Sequence, residues 1–387
     1  MSKTAVTPEE EIRTSETKKR KKKKKRSGSG ARFIRRTLLL LFTIVILLAI
    51  GLCMILNTIF NGPSESARNV LTMSLSEASA TKWVPGLFLG DELVAQIRNQ
   101  SGAALTEEFS DASQVVINKD STMFNSDEWK DYPDGIRIES YAGDTFNAHI
   151  MIVRDPSLVY MATSTDGKFS TSVPGTRINE EIETEGAVAA INAGAFNDDG
   201  TANSYVGSIP AGLVIVDGEV KSNQYHDLVP EEGFVGFNFD DVLVVAKSMT
   251  AEQAKEQNIR DGCEFGPVLI MNGEVNQEAY NANSGWNPRT AIGQRKDGAV
   301  ILLCIDGRQA SSIGGTYKDL IDIMLEYGAY NACNLDGGSS SVMLYRDEFG
   351  RYGNAGDVVM INSYSLLQEQ PRRMPNFWMV RPRGEEG

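Results

Sequence analysis

The stretch YNACNLDGGSSSVMLY, residues 330–345, carries most of the information in this chain. A short apolar run ends at Asp336, and two glycines and three serines separate it from a second apolar run. Glycine lets a backbone turn tightly and lets a ligand approach it closely. A carboxylate at this point favours a binding loop between two strands over a plain turn.

Two other apolar runs lead into similar loops, and a fourth polar segment precedes one of these runs. The loops are Asn192-Ala193-Gly194 after residues 187–191, Asp306-Gly307-Arg308 after residues 299–305, and the segment at residues 287–291. Buried strands that lead into polar, glycine-containing loops are how sheets build clefts. Each piece alone has an ordinary reading, because Asp-Gly is a common turn and a lone arginine is usually a surface residue. Together they predict a site.

From residue 134 the chain is dense in short apolar runs that are typical of strands. We predict strands at residues 136–140, 149–153, 187–191, 212–216, 242–246, 268–271, 299–305, 332–335 and 341–344, and helices at residues 91–100, 250–257 and 316–327. Several runs are continuously apolar, which is expected of strands covered on both faces. Asp217-Gly218 and Asn272-Gly273 are hairpin signals. The predicted fold class is α+β, a mixed, strand-rich domain with few helices, preceded by one N-terminal transmembrane helix.

The N-terminal region indicates a membrane anchor. Residues 38–60 carry no charge and are long enough to cross a bilayer as a helix. A signal peptide has a shorter apolar region, so we predict an uncleaved signal anchor. Residues 1–36 hold 14 Lys and Arg against 4 Glu, with nine consecutive basic residues at 18–26. Because basic flanks stay cytoplasmic, the C-terminal part is expected outside the cell.

The predicted organisation has four parts. Residues 1–36 form a disordered basic cytoplasmic tail, 37–60 the transmembrane anchor, 61–133 a juxtamembrane stalk or linker, and 134–383 the main domain. Residues 61–387 hold 24 Lys and Arg against 47 Asp and Glu, a balance that argues against nucleic acid as a partner. Any phosphate group must therefore be bound by a few arginine side chains or backbone N–H groups and not by a broad basic surface. Sparse cysteines exclude a disulfide scaffold and suit the surface of a Gram-positive bacterium.

Several familiar chemistries are excluded by missing motifs. The chain has no G-x-S-x-G, Walker or H-E-x-x-H motif. Its two histidines, His149 and His226, are interpreted as ordinary structural residues. Carboxylate chemistry remains, because two aspartates on neighbouring loops suit glycosyl transfer or hydrolysis. An arginine can hold phosphate bidentately, and backbone N–H groups at a Gly-Gly turn can form an anion nest.

Over about residues 134–383 the chain resembles the phosphodiester glycosidase family. The segments that carry the resemblance, in order, are residues 187–196, 210–213, 288–293, 306–308 and 334–340. The family includes the enzyme that removes N-acetylglucosamine from a phosphodiester on mannose, and bacterial members related to exopolysaccharides. The resemblance implies hydrolysis of a sugar-1-phosphodiester to a free sugar and a phosphomonoester.

Carried over by motif, the resemblance also implies the site residues. These are Asn192, Gly194, Arg289, Asp306, Asn334, Asp336 and Gly337, to which we add Thr290, Arg308, Gly338 and Ser339 from the same motifs. Asp336 is expected to stabilise or attack the anomeric carbon with Asp306 as partner, or the reverse, and Arg289 to clamp the phosphate. Ala193 and Ser339 stand where the family usually has glycine, and either could narrow the space for substrate.

Two other functions remain open at this point. One is a metal-assisted phosphodiesterase or phosphotransferase that breaks P–O instead of C–O, and the other is a non-catalytic protein that binds cell-wall glycan. We expect a sugar phosphodiester or surface glycan as partner, and no required cofactor, with a divalent cation as the alternative. The expected location is the cell membrane, with a single pass and an extracellular C-terminal domain.

Overall fold

A computed structural model describes residues 8–76, 81–99, 108–117, 128–197, 207–364 and 370–384. The chain divides into two compact units, Met1–Glu65 and Ser66–Gly387. The first unit is dominated by one long helix, α1 (Pro8–Phe60). Its segment Phe33–Phe60, which contains an 18-residue stretch with a mean hydropathy of 3.1, is long and apolar enough to cross a membrane. A membrane anchor and a signal sequence near an N-terminus both have this character.

The prediction of a disordered basic tail is wrong from Pro8 onward. The helix continues through the basic run, because Lys, Arg and Glu are good helix formers and elongation from an existing helix is much easier than nucleation.

The remaining helices are short. They are α2 (Glu65–Ser76), α3 (Val84–Leu89), α4 (Asp91–Asn99), α5 (Ile178–Thr184), α6 (Ala251–Glu256), α7 (Gln277–Asn281) and α8 (Tyr317–Glu326). The three predicted helices are confirmed as α4, α6 and α8; residue 100 lies outside the described residues. Thr250 and Thr316 cap α6 and α8 through capping boxes, each accepting a hydrogen bond from the backbone N–H three residues on. Gly328, with φ 84°, follows the end of α8.

Nineteen strands lie in the part of the chain that is described. The first ten are β1 (Ile136–Ala142), β2 (Asn147–Val153), β3 (Val159–Thr163), β4 (Thr176–Arg177), β5 (Ala189–Asn192), β6 (Gly212–Val216), β7 (Glu219–Gln224), β8 (Phe234–Asn238), β9 (Leu243–Ala246) and β10 (Ile259–Glu264). The others are β11 (Val268–Met271), β12 (Glu274–Val275), β13 (Arg289–Arg295), β14 (Val300–Ile305), β15 (Ala329–Leu335), β16 (Met343–Arg346), β17 (Val358–Met360), β18 (Arg373–Met374) and β19 (Asn376–Val380). All nine predicted strands are confirmed within a few residues, and both predicted hairpin turns join adjacent strands.

The strands form three main sheets and one small one, with every observed pairing antiparallel. The sheet orders are β1-β2-β14-β13-β15-β11-β12, β17-β16-β5-β19-β3, β7-β6-β10-β8-β9 and β18-β4. One core cluster joins the three main sheets and includes Met151, Ile191, Val214, Leu302 and Trp378. The observed α+β architecture therefore agrees with the prediction.

Strand β14 shows why its sequence is continuously apolar. Val300, Leu302 and Cys304 belong to the cluster between the sheets. The alternate residues Ile301, Leu303 and Ile305 pack in a second cluster that contains Leu320, Ile321 and Met324 of α8. Both faces of β14 are therefore covered, as the continuous pattern predicts.

The pairing of β13 with both β14 and β15 brings separate loops to one sheet edge. Arg289, the first residue of β13, pairs with Ile305, the last residue of β14, and Thr290 pairs with Leu335, the last residue of β15. The residues that follow these two strands are Asp306 and Asp336. Because β13 lies between β14 and β15, the two aspartates are separated by two interstrand spacings, which is roughly 10 Å across the sheet. The predicted meeting of the loops follows from this register.

Part of the segment predicted as a stalk or linker packs within the second unit. Thr72 and Met73 of α2 are buried, and Ser74 Oγ accepts a hydrogen bond from the N–H of Trp286 at 2.9 Å. Further along, the N–H of Ser110 donates to the carbonyl of Val245 at 3.0 Å. Helix α2 beyond Glu65 and the segment around Ser110 therefore pack in the second unit, because they bury side chains and hydrogen-bond to it.

Candidate active site

The loop after β15 carries the most distinctive residues. The N–H of Asp336 donates to the carbonyl of Ala193 at 3.0 Å, and the carbonyl of Asp336 accepts from Thr290 Oγ1 at 2.5 Å. A Cβ on Gly337 would lie 2.8 Å from the carbonyl oxygen of Pro288, and Gly338 has φ 62°. Glycine is therefore required at both positions, by close approach at the first and by backbone conformation at the second. Residues 336–339 are all partly exposed.

Asn192 fixes this loop from beneath. Its side chain is fully buried, and its Nδ2 donates to the carbonyl of Asp336 at 2.6 Å and to Thr290 Oγ1 at 3.0 Å. Its Oδ1 accepts from the N–H of Val342 at 3.3 Å. One amide therefore holds both ends of the segment 336–342. Asn192 and Thr290, predicted to bind substrate, are placed to position the loop.

Gly194 and Asn334 also lie below the exposed surface of the loop. The N–H of Gly194 donates to Asn376 Oδ1 at 2.8 Å, and a Cβ on Gly194 would lie 3.0 Å from the Cβ of Cys263. Asn334 Nδ2 donates to the carbonyl of Gly266 at 2.7 Å. These contacts set the relative position of the loops after β5, β10 and β15. Asn376 was missed because it lies far along the chain, in the last strand.

Ala193 does not narrow the site. Its side chain is buried in the core cluster between the sheets, with 1% of its surface exposed. The methyl group that distinguishes it from the usual glycine therefore packs against apolar side chains.

Asp306 is brought to the same sheet edge but is almost completely buried. Its Oδ1 accepts from the N–H of Ser363 at 2.9 Å, and its Oδ2 lies 3.3 Å from His149 Nε2. Only 2% of the Asp306 side chain is exposed, against 15% for His149. His149, interpreted from the sequence as structural, thus contacts a predicted catalytic residue. Its pairing opposite Cys304, two residues before Asp306, explains the contact, because residues two apart on a strand share a face.

Arg289 directs its guanidinium into the protein. Nε donates to the carbonyl of Gly315 at 2.8 Å, and Nη2 donates to the carbonyls of Ser284 and Gly285. Its Cζ also lies 4.3 Å from the ring centroid of Tyr317. Only 3% of the residue is exposed. This arrangement fits a residue that supports the adjoining loops better than a phosphate clamp that faces a cleft.

Arg308 is the exposed arginine of the predicted set. Its Nη2 donates to Asn287 Oδ1 at 3.1 Å and lies 3.1 Å from where a Cβ on Gly338 would be. Its backbone has φ 57°, a left-handed conformation that costs a non-glycine residue energy and persists only when the surrounding structure holds it. The geometry presents a cation against the loop that begins at Asp336.

Sequence reasoning missed a second arginine beside this loop. Arg372 Nη1 donates to Ser339 Oγ at 3.2 Å, and its Cζ lies 4.6 Å from the ring centroid of Phe196. Tyr364 donates its hydroxyl to the carbonyl of Ser339 at 2.6 Å, and burial raises the pKa of that hydroxyl. Ser339 and Arg372 are 33 residues apart in sequence, so no local pattern connected them.

The candidate site therefore has an exposed rim and a buried support. The rim consists of Asp336, Gly337, Gly338, Ser339, Arg308 and Arg372, and the support of Asn192, Gly194, Arg289, Thr290, Asp306 and Asn334. Among the residues described, no group of three or more His, Cys, Asp or Glu side chains is placed to hold a metal ion.

Residues 185–381 match the family model described as phosphodiester glycosidase, and this segment contains every residue of the candidate site. The uncharacterised protein YomE, derived from the SPbeta prophage of Bacillus subtilis (strain 168), is 30% identical over 160 residues, which cover 40% of this chain. The match spans 24% of the length of that relative.

Solved structures also match this chain, at lower sequence identity. The catalytic domain of zebrafish N-acetylglucosamine-1-phosphodiester alpha-N-acetylglucosaminidase, auto-inhibited by its pro-peptide, matches with a TM-score of 0.49 and 21% identity, covering 64% of this chain and 82% of that chain. A hypothetical protein from Synechocystis matches with a TM-score of 0.42 and 15% identity, over 64% and 61% of the two chains. Since the family match spans the whole site and about half of the sequence, this chain belongs to the phosphodiester glycosidase family.

Proposed function

We propose that this protein hydrolyses the glycosyl C–O bond of a sugar-1-phosphodiester in a cell-surface glycan or exopolysaccharide. The observation that carries the proposal is the partly exposed Asp336 at the start of a loop whose Gly338 lies close to the exposed Arg308, at the edge of the seven-stranded sheet. A carboxylate can act on the anomeric carbon, and a guanidinium can hold two phosphate oxygens bidentately. Family membership supports the same reaction.

Asp336 and Arg308 have different parts in the proposed reaction. Water adds its hydroxyl to the anomeric carbon, and the bond from that carbon to the phosphate oxygen breaks, its electron pair leaving with the phosphomonoester. The remaining proton of the water passes to that phosphate or to solvent. Because a phosphomonoester is a good leaving group, the main demand is to stabilise positive charge at the anomeric carbon. Asp336 stabilises it by supplying negative charge, as nucleophile or electrostatic partner, and Arg308 neutralises the departing phosphate.

Asp306 takes a supporting part in this proposal. Its two carboxylate oxygens are engaged by the N–H of Ser363 and by His149, and it lies on the loop that also carries Arg308. It therefore orients the loop and His149, whereas Asp336 faces the substrate. Arg289 holds the carbonyls of Ser284 and Gly285 in the loop that precedes β13, and the carbonyl of Gly315 after β14.

The location is proposed from the first unit. The apolar segment Phe33–Phe60 would anchor the protein as a single pass, and the basic residues before it would keep the N-terminus in the cytoplasm. The second unit would then act outside the membrane, where surface glycans are found.

The test is a panel of glycosyl phosphodiesters incubated with the full chain in detergent, with products identified by mass spectrometry. We expect at least one member to yield free sugar and phosphomonoester. Asp336→Asn should lower turnover by on the order of 1,000-fold or more, because an amide cannot supply the negative charge. Asp322→Asn, at a partly exposed residue paired with Lys318 on α8, is the matched control and should keep full turnover.

A panel in which no member is hydrolysed would overturn the proposal. Turnover by Asp336→Asn close to that of Asp322→Asn would overturn the role of Asp336.

A further inference from the structure

Two guanidinium groups contact consecutive residues of the loop after β15. Arg308 Nη2 lies 3.1 Å from the position that a Cβ on Gly338 would occupy. Arg372 Nη1 donates to Ser339 Oγ at 3.2 Å. The two arginines come from separate parts of the chain, one from the loop after β14 and the other from the segment directly before β18. Two cations therefore converge on the residues that follow Asp336.

Arg372 is held in a defined orientation. Its Cζ stacks 4.6 Å from the ring centroid of Phe196, in the loop after β5. Its backbone N–H donates to the hydroxyl oxygen of Tyr364 at 3.2 Å, and that hydroxyl donates to the carbonyl of Ser339 at 2.6 Å. A side chain fixed in this way loses little conformational freedom when a ligand binds, which favours affinity.

Ser339 contributes an acceptor that a glycine lacks. It stands where the family usually has a third glycine, and its Oγ accepts the hydrogen bond from Arg372. Ser339 differs from the family pattern, and that difference suggested a narrower site. In the structure its side chain instead accepts a hydrogen bond from Arg372. In this chain the serine positions the cation.

The net negative charge of residues 61–387 makes a pair of neighbouring arginines significant. Residues 61–387 carry 24 Lys and Arg against 47 Asp and Glu, so the surface as a whole repels an anion. A phosphate must therefore be held by specific local groups, either cationic side chains or backbone N–H groups. The planar guanidinium suits this task, since its donors match two phosphate oxygens at once.

We propose that Arg372 is a second phosphate-binding arginine, that it holds the phosphodiester anion together with Arg308 above Gly338 and Ser339, and that Ser339 sets its orientation. The nature of the ligand as a glycosyl phosphodiester rests on the proposed function. The anion site itself rests on the two arginines and their contacts. It follows that the substrate carries its negative charge next to the anomeric carbon that Asp336 faces.

The test compares Arg372→Gln, Arg372→Lys and Ser339→Gly with the unaltered full chain. Binding of inorganic phosphate is measured by calorimetry, and KM and kcat are measured with the best glycosyl phosphodiester of the panel. We expect Arg372→Gln to raise both the Kd for phosphate and KM by roughly 10- to 100-fold, as expected for a lost hydrogen bond to a charged group. Arg372→Lys keeps the positive charge but lacks the paired N–H donors of the guanidinium, so it should give a smaller increase in Kd and KM. Ser339→Gly should raise both constants a few-fold.

The neighbouring residue provides the control. Arg373 Nη1 donates to the carbonyl of Gly175 at 2.9 Å and pairs with Glu180 at 3.3 Å, so its guanidinium is engaged elsewhere. Arg373→Gln should leave the Kd for phosphate and KM within about twofold. An equal Kd for Arg372→Gln and Arg373→Gln, or no phosphate binding by the unaltered chain, would overturn the inference.

These outcomes are separable from failure of the proposed function. If the unaltered chain hydrolyses no member of the panel, the glycosidase proposal fails, while the phosphate affinities of the same proteins still decide the role of Arg372. If Arg372→Gln does not fold, Arg372→Lys and Ser339→Gly decide it, because unchanged phosphate affinity in both would overturn the inference.

Discussion

Asn192 Nδ2 lies 2.6 Å from the carbonyl oxygen of Asp336, and this hydrogen bond ties the end of β5 to the loop that carries the proposed catalytic carboxylate. The same side chain accepts from the N–H of Val342, at the other end of that loop. A chain segment rich in glycine and serine has many accessible conformations when free. A buried amide that binds both of its ends selects one of them.

Replacing Asn192 by alanine should therefore destabilise the domain and disorder the loop. The change removes one of the two donors to the Asp336 carbonyl and leaves the buried Val342 N–H without its side-chain partner, which should lower the free energy of unfolding by about 3 kcal/mol. Denaturant unfolding of Asn192→Ala measures this. Asn179→Ala, at an exposed residue of α5, is the control and should change it by less than about 0.5 kcal/mol. Equal stabilities would show that Asn192 does not hold the loop.

Replacing Asp306 by asparagine should distinguish the roles of the two aspartates. Asparagine can still accept from the N–H of Ser363, and it loses only the charge beside His149. We expect kcat to fall by less than roughly 100-fold, the lower end of what a general acid or base contributes. The loss for Asp336→Asn should be much larger. If steady-state kinetics place the larger loss at Asp306, the two roles must be exchanged.

Replacing Ala193 by glycine restores the residue usual in the family at a buried position. The change removes a methyl group from the core and increases backbone freedom in the unfolded chain, and together these should cost about 1.5 kcal/mol of stability. Because the methyl group packs in the core and not on the rim, KM should stay within about twofold of its original value. A markedly lower KM would show instead that Ala193 restricts the substrate.

Replacing Glu181 by glutamine should stabilise the protein at neutral pH. Burial raises the pKa of Glu181 above its ordinary value of 4.5, and the neighbouring Glu185 adds to this. The folded state thus binds the proton more tightly than the unfolded state, so this group lowers stability progressively as pH rises above 4.5. Thermal melts of Glu181→Gln should show a higher Tm at pH 7 and the original Tm below pH 4.5. Glu274→Gln, at an exposed strand residue, should show no such difference. A Tm that is unchanged at pH 7 would contradict the assignment.

The parts of the fold that could be predicted from the sequence are those decided by local pattern. Strand β14 is apolar along its whole length because one face packs between the sheets and the other packs on α8. Helix α8 has a capping threonine and an apolar stripe. Both features depend on neighbours in sequence, and the structure has both.

The parts that could not be predicted depend on distant partners. Strand β13 begins with Arg289 and contains Gly293 and Gln294, so it does not look apolar. Gln294 is nevertheless fully buried, because its side chain donates to the carbonyls of Asp241 and Gly298 and accepts from the N–H of Leu243. No composition rule reveals such partners. The contacts of Arg289 with backbone carbonyls could not be predicted either, because its partners also lie outside its own strand.

The sequence predicts which loops meet, and the structure divides the residues of those loops between an exposed rim and a buried support. The motifs identified the loops that meet at the sheet edge, since each ends or begins an apolar strand. They could not separate exposed from buried members of those loops, because that depends on which face of the sheet each side chain occupies. Asp336 and Arg308 lie on the exposed rim, whereas Asp306 and Arg289 are buried support.

The central claim, that the C–O bond of a glycosyl phosphodiester is cleaved, is tested most directly by hydrolysis in oxygen-18 water. The best substrate of the panel is converted by the full chain, and the position of the label in each product is read by mass spectrometry. Water that attacks the anomeric carbon places the label in the released sugar, which is the result we predict. Label in the phosphomonoester would mean attack at phosphorus, and it would contradict the account.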